Sequence, residues 1–411
     1  MTTHSPDRIS RPDFLPLGDL RASQLLRLQR MVQRAYDCVP LFHRRMDERD
    51  LTPTDVRSLD DVPRLPFTVK ADLRDTYPFG LFASPMTDIV RLHASSGTTG
   101  KPIVVAYTPN DLGVWTETMV RSFASCGLHA GDIVQVAYTY GLFTGGLGAH
   151  YGAEALGATV IPVSGSNTER QLMVMKDFGV TVICCTPSYF LHLIDQAERM
   201  GIDMRTLRLR TGVFGAEPWT ENMRQRIETH TNITAYDMYG LSEIIDPATL
   251  ERVPDGEEGE LVLTTLSKEA MPMIRYRTRD ITAFATEPCP CGRTLRRIRR
   301  IGRRSDDMLI IRGVNVFPSQ IEAALLQVEG TLPHYQIVLT RERDLDQVEV
   351  QVEVTADVFS DEVRVVADLQ KKIAHSIETI TGIRVALRLV APYTIQRSEG
   401  KAKRVIDKRG G

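Results

Sequence analysis

The 411-residue sequence lacks the features that would place it in a specialised class. No charge of one sign dominates: 50 Lys and Arg stand against 52 Asp and Glu. That balance removes any bulk electrostatic reason to expect nucleic acid or an acidic membrane surface. Cysteine is sparse and scattered, at Cys38, Cys126, Cys184, Cys185, Cys289 and Cys291. Adjacent or nearly adjacent cysteines rarely bridge each other, so no disulfide framework of a secreted domain is present. No stretch approaches the roughly 18 apolar residues of a membrane span. The opening MTTHSPDRISRPDF has no apolar run of a secretory signal, and a reduced, cytoplasmic compartment is the expectation. No internal repeat occurs. What remains is ordinary soluble composition, 42% hydrophobic and 25% charged, in a chain long enough for more than one domain.

Hydrophobic periodicity divides what is present. Leu25, Leu28, Val32 and Ala35 recur at helical spacing with arginines between them. DIVQVAYTY (132–140), ATVIPV (158–163) and VTVICCTP (180–187) read as buried strands, separated by helical stretches such as TERQLMVMKDFG. That alternation argues for parallel α/β layers. After the turn signal PDGEEG, EGELVLTTL (258–266) begins a more β-rich portion. RRSDDMLIIRGVNVFPSQIE (303–322) marks a change of character and reads as a linker with a hinge. Beyond it come a short helix, two strands joined by RERDLDQ, a helix lined by Val366, Leu369, Ile373, Ile377 and Ile380, and the strand RVALRLVAP. The expected fold class is α/β. A large N-terminal domain with a β-rich subdomain covers 1–305, and a small α+β domain able to bury its own core covers 306–411. The closing RSEGKAKRVIDKRGG has the composition of a loop or tail.

Several stretches could carry chemistry. ASSGTTGKP (94–102) sets small hydroxyls among glycines and ends near a lysine. A Walker loop reads G-x-x-x-x-G-K-[ST], whereas Gly97 and Gly100 are only three apart and Pro102 follows Lys101. An ordinary Walker ATPase is excluded, but a nest of backbone amides for an anion is not. The plain alternative is a Gly/Ser/Thr turn between two strands. TGVFGAEPW (211–219), AYDMYGLSE (235–243) and IRYRTRDIT (274–282) each place small or polar residues after an apolar strand, where α/β sheets bind ligands. Glu243 could bind Mg²⁺ beside phosphate oxygens, and Asp280 could hold a ribose diol or pair with a neighbouring arginine. Lys401 alone would read as a solvated surface charge.

Taken in order, HASSGTTGKP, YTYGLFTGGLGAHYGAE, GAEPW, YDMYGLSE, EAMPMIRYRTRD, SDDMLIIRGVNVFP and RSEGKAKRV resemble the adenylate-forming superfamily of acyl-CoA synthetases. Within it the closest resemblance is to the phenylacetate–CoA ligase family, from about Leu59 to Arg409. The resemblance implies an adenylate-forming fold with a mobile C-terminal domain, and activation of an aromatic carboxylic acid with ATP to an acyl-adenylate. Transfer to CoA then gives an aryl-CoA thioester, AMP and pyrophosphate. It implies that Ser95, Ser96, Gly97, Thr98, Thr99, Gly100 and Lys101 cradle the β- and γ-phosphates. Ala216, Glu217 and Pro218, with Tyr236, Asp237, Met238 and Tyr239, would frame the adenine. Asp280 would bind the ribose, Arg304 the ribose or phosphate, and Glu243 Mg²⁺. Asp306 would be the hinge, and Lys401 would reach the acyl carboxylate and α-phosphate. Tyr138, Tyr140, Gly141 and Phe143 fall where the family builds its acid pocket. The family also suggests a homodimer.

The sequence departs from the family pattern in three places. After YGLSE, relatives continue through a further segment before an IIDP-like turn, whereas Glu243 here runs straight into IIDPATLERVPDGEEGE. That shortening opens the alternative of a nucleotide-binding homologue impaired in catalysis; a ligase with a different acceptor, such as an amine or carrier protein, is a separate alternative. Arg303 replaces the Gly common before the linker arginine. Finally, Cys289-Pro-Cys291-Gly could offer two thiolates to Zn²⁺, but a closed structural site needs four ligands. His150, His230 or His334 would have to complete it, so zinc is an alternative and not the expectation.

Overall fold

The computed structural model describes residues 11–94, 102–142, 144–165, 167–216, 219, 221–237, 243–247, 249–290, 292–301, 303–305, 309–311, 314–328, 331–342, 345–355, 363–395 and 404–408. The chain folds as two compact units. Residues 1–185, 196–215 and 231–301 form one, and residues 186–195, 216–230 and 302–411 form the other.

In the first unit, helix α1 (Leu17–Cys38) buries Leu28, Met31, Val32 and Ala35, a stripe at spacings of three and four. It ends before Pro40, which occupies the first turn of α2 (Pro40–Asp47). Strands β1 (Arg91–Ala94) and β2 (Val104–Tyr107) pair antiparallel, Ala94 facing Val104, and so bracket the glycine-rich loop. Helix α4 (Pro109–Ser125), which follows the short α3 (Lys70–Asp75), starts at a Thr108 cap completed by Asp111.

The parallel layers expected from the alternating pattern are present. Strands β3 (Ile133–Val136), β4 (Thr159–Ile161), β5 (Val182–Cys185), β6 (Thr211–Phe214) and β7 (Thr234–Asp237) form one parallel sheet in the order β4-β3-β5-β6-β7. All four residues of β5 and of β6 are buried, as strands covered on both faces require. Helices α5 (Thr144–Leu156) and α6 (Thr168–Asp177) connect successive strands. Helix α5 reads TGGLGAHYGAEAL, and its glycines admit α4 at close range. A Cβ on Gly148 would stand 2.8 Å from the Trp115 ring, and one on Gly152 2.5 Å from Cβ of Met119. The predicted strand at 132–140 ends at Val136, and residues 137–140 lie beyond it.

The β-rich portion consists of β8 (Glu243–Ile245), β9 (Gly259–Leu263) and β10 (Tyr276–Thr282), antiparallel in sequence order. The short connection after β8 closes on itself. The Asp246 N–H donates to the Glu251 carbonyl and the Val253 N–H to that of Ile244.

The second unit contains the two-residue β11 (Arg303–Arg304) and the hairpin of β12 (Leu309–Ile311) and β13 (Val314–Val316), inside the stretch read as a linker. Its main sheet runs β16-β15-β14-β17, built from β14 (Thr331–Glu342), β15 (Leu345–Val354), β16 (Ala386–Val390) and β17 (Val405–Asp407). Helix α7 (Pro187–Arg199) is divided between the two units. Helices α8 (Glu221–His230), α9 (Pro318–Leu326) and α10 (Val363–Thr381) belong to the second. In β15 Val348, Val350, Val352 and Val354 are buried against Ile321, Ile337, Ile373 and Ile377, and of the residues between them only Glu353 is also buried. The expected stripe on α10 is confirmed, with Val366, Leu369 and Ile380 flanking the two buried isoleucines. One expectation is corrected. The polar C-terminal stretch is not loop throughout, because Val405 and Ile406 pair in parallel with Ile337 and Val338 as an edge strand. Flanking charges concealed that two-residue apolar signal.

Candidate active site

The hairpin that carries the glycine-rich loop is braced at its base. Lys268 donates to the Ala106 carbonyl at 2.8 Å and lies 3.4 Å from the centre of the Tyr107 ring. Burial pulls its ammonium down to about 8 and pushes the Tyr107 phenol up to about 12. Asp111 serves two structures at once. Its carboxylate accepts from the Thr108 N–H within the cap of α4, and from the N–H groups of Glu269 and Ala270 at 2.6 and 2.9 Å. Glu269 in turn accepts from Thr108 Oγ1 and from the Asn110 amide. The EAMP segment is thereby fixed to the start of α4. On the opposite side, the Ala94 N–H donates to the Leu142 carbonyl. The same carbonyl lies 2.9 Å from His93 Nδ1. A carbonyl only accepts, so that nitrogen carries the imidazole hydrogen. Burial lowers the pKa of His93 and favours the neutral ring. The loop residues Ser95 to Lys101 lie outside the described residues.

Glu243 stands on β8 opposite Val262 and is 8% exposed. Both its oxygens accept from Arg275, from Nε at 3.1 Å and from Nη2 at 3.2 Å. Arg275 is 3% exposed and has φ +46°. Its remaining terminal nitrogen donates to the Pro63 and Leu65 carbonyls at 2.6 and 2.9 Å, and the guanidinium lies 3.8 Å from the centre of the Phe67 ring. This fork holds the carboxylate in one orientation. Each oxygen keeps a second lone pair, so the donor set suits one oxygen ligand of a hard cation such as Mg²⁺.

Asp280 lies on β10 where a register shift between Arg277 and Ile281 breaks the pairing with β9. It is buried, and its neighbours Arg277 and Arg279 are both directed to the fully buried Glu260, at 2.7 and 3.4 Å. The alternative pairing of Asp280 with Arg279 is therefore not the one in which Arg279 is engaged.

Of the residues assigned to the acid pocket, Tyr138 donates its hydroxyl to the Cys185 carbonyl at 2.8 Å. The Tyr140 hydroxyl lies 3.1 Å from His150 Nδ1, and Gly141 faces open space. Phe143 lies outside the described residues. Among the residues expected to bind the nucleotide, Tyr236 and Asp237 end β7, and Ala216 takes a left-handed backbone, φ +69°. Arg304 lies on β11. Glu217, Pro218, Met238, Tyr239, Asp306, Lys401 and Cys291 are outside the described residues. The Gly292 N–H closes a turn on the Cys289 carbonyl. Both ring nitrogens of His150 are engaged, by Tyr140 and Glu154, and His230 Nδ1 contacts the Arg226 carbonyl. Among the described residues no group of three or more His, Cys, Asp or Glu is placed to hold a metal. Sequence reasoning gave no role to Arg275, Lys268 or Glu154. Only Glu154 had a readable signal, its i,i+4 spacing from His150 on α5.

Comparison with known proteins decides the family. The AMP-binding enzyme family matches residues 82–245, and the AMP-binding enzyme C-terminal domain matches residues 313–409. A phenylacetate-coenzyme A ligase of Pseudomonas putida is 50% identical over 439 residues, covering 99% of this chain and 98% of its own length. One from Thermus thermophilus is 48% identical, over 97% and 98% of the two chains. The chain belongs to the phenylacetate–coenzyme A ligase family. Among solved structures, 2-hydroxyisobutyryl-CoA ligase in the postadenylation state superposes with a TM-score of 0.91 at 30% identity, over 99% of this chain and 94% of that one. The adenylate-forming fold, an AMP-binding N-terminal domain with a small C-terminal domain, is thus the fold of this chain. The 439-residue alignment is longer than the 411-residue chain, so the Pseudomonas ligase carries residues with no counterpart here. The family architecture otherwise extends from end to end.

Proposed function

We propose that this chain activates an aromatic carboxylic acid of the phenylacetate or benzoate kind and joins it to CoA. The acid's carboxylate oxygen attacks the α-phosphorus of ATP, the bond to the β-phosphate oxygen breaks, and pyrophosphate leaves. The CoA sulfur then attacks the acyl carbon, the bond to AMP breaks, and the thiol proton passes to solvent. The observation that carries this reading is the identity of 46–50% to four curated phenylacetate-coenzyme A ligases across nearly the whole chain.

The residue roles follow the family motifs. Ser95 to Lys101 bind phosphate oxygens, Tyr236 and its neighbours the adenine, Asp280 the ribose, and Tyr138, Tyr140, Gly141 and Phe143 the acid. Lys401 neutralises charge at the α-phosphate, in the manner of cations positioned in advance for a developing anion. Glu243 holds Mg²⁺, which neutralises phosphate charge when bound, and the Arg275 fork supports this by fixing the carboxylate. The domain limits are 1–305 and 306–411, with the hinge at Asp306; the separate match of residues 313–409 to the C-terminal domain family supports a division of this kind. Cytoplasmic residence and a homodimer complete the reading.

The test is pyrophosphate release across phenylacetates, benzoates, aminobenzoates and cinnamates, with and without CoA. The expected result is acid-dependent release, with an aryl-CoA product only when CoA is present. Release without any CoA-dependent thioester would overturn the acceptor. No release with any aromatic acid would overturn the activity.

A further inference from the structure

Tyr140 joins the proposed acid pocket to a chain of side-chain hydrogen bonds that the reading above does not use. Its hydroxyl lies 3.1 Å from Nδ1 of His150, and Nε2 of that imidazole lies 2.9 Å from Oε1 of Glu154. His150 and Glu154 stand one turn apart on α5, so the helix itself sets their spacing. The Tyr140 and His150 rings meet at 87° with centroids 5.8 Å apart. Glu154 lies out on the surface, its side chain 54% exposed, while Tyr140 is partly covered.

The chemistry of the three groups fixes the direction of each bond. A carboxylate only accepts, so Nε2 of His150 must carry the hydrogen. In the neutral imidazole Nδ1 is then the acceptor, and the Tyr140 hydroxyl must donate to it. Burial raises the pKa of Tyr140 and keeps that hydrogen on the phenol. With its one hydrogen committed to His150, the phenolic oxygen has only lone pairs left for anything on its other side.

We infer that Glu154 and His150 are positioning residues that set Tyr140 as a hydrogen-bond acceptor toward the ring of the bound acid. The pocket then selects aromatic acids that carry an O–H or N–H donor on the ring over isosteric acids that can only accept. This inference rests on the reading of Tyr140 as a pocket residue.

The experiment compares hydroxyphenylacetates with fluorophenylacetates at the same ring positions, by kcat/KM for pyrophosphate release. At the best ring position the wild type should favour the hydroxyl compound by about tenfold, the worth of one hydrogen bond. Tyr140→Phe should abolish the preference. Glu154→Lys, a surface change, replaces an acceptor by a group that only donates. It should move the imidazole hydrogen to Nδ1, release the Tyr140 hydrogen to the pocket, and erase or invert the preference. The double variant should match Tyr140→Phe alone. A preference that survives Tyr140→Phe, or is absent from the wild type, overturns the inference together with the pocket role of Tyr140. A preference lost in Tyr140→Phe but intact in Glu154→Lys overturns only the relay. Equal slowing of all acids by Glu154→Lys marks a merely structural helix pair and overturns the relay as well.

Discussion

Two antiparallel regions of this molecule bury very different side chains. Strands β8 to β10, with Arg275 just ahead of β10, place Glu243, Glu260, Arg275 and Asp280 at 8% exposure or less. Among their described residues, strands β14 and β15 bury Val, Ile, Leu and one Tyr, with Glu353 the single buried charge. Apolar burial stabilises in proportion to area, whereas buried charges cost desolvation that good geometry only offsets. The second sheet therefore serves stability. The first spends stability on fixed directions: a fork on Glu243, and two arginines drawn to Glu260 beside Asp280.

That contrast can be broken at four points, from the largest effect to the smallest. Arg275→Met should leave the Glu243 charge buried and unpaired, lowering unfolding free energy by about 3–5 kcal/mol in denaturant titration. Under conditions where the variant stays folded, acid-dependent pyrophosphate release should fall by about a hundredfold, the scale of losing one aligned electrostatic group. A variant as active as wild type would show that the fork is only structural. Ile373→Ala should cost about 2–5 kcal/mol through its cavity, yet leave kcat/KM for pyrophosphate release unchanged at low temperature. Activity lost without stability lost would erase the distinction between the two sheets.

Gly152→Ala should cost about 1–3 kcal/mol by overpacking α5 against Met119, read as a lowered Tm. The smallest effect concerns pH. Lys268 titrates near 8 when folded against an ordinary 10.5, so between those values the unfolded chain binds the proton more tightly. Stability should therefore climb with pH across that window, and Lys268→Met should flatten the climb in denaturation at pH 8 and pH 10.

The same contrast explains what the sequence disclosed. Periodicity announces apolar faces, so the β15 alternation, the α10 stripe and the buried β5 were legible from residue types alone. The motif residues were legible because a family keeps them in order along the chain. Arg275 was not, since its partners at Pro63, Leu65 and Glu243 come together only when three distant segments fold. Lys268 reads as a surface lysine until the Tyr107 ring lies beneath it. Strand β17 was missed because its edge position needs only two apolar residues.

The Asp111 brace bears on the order of assembly. Its carboxylate takes the Ala270 N–H, 159 positions further along the chain, and closing so long a loop costs entropy that local contacts do not. During synthesis the glycine-rich motif emerges early, but the frame around its hairpin cannot close until residue 270 has been made. The hairpin around the glycine-rich motif, the easiest feature to find in the sequence, thus belongs to one of the later parts of the first unit to be completed.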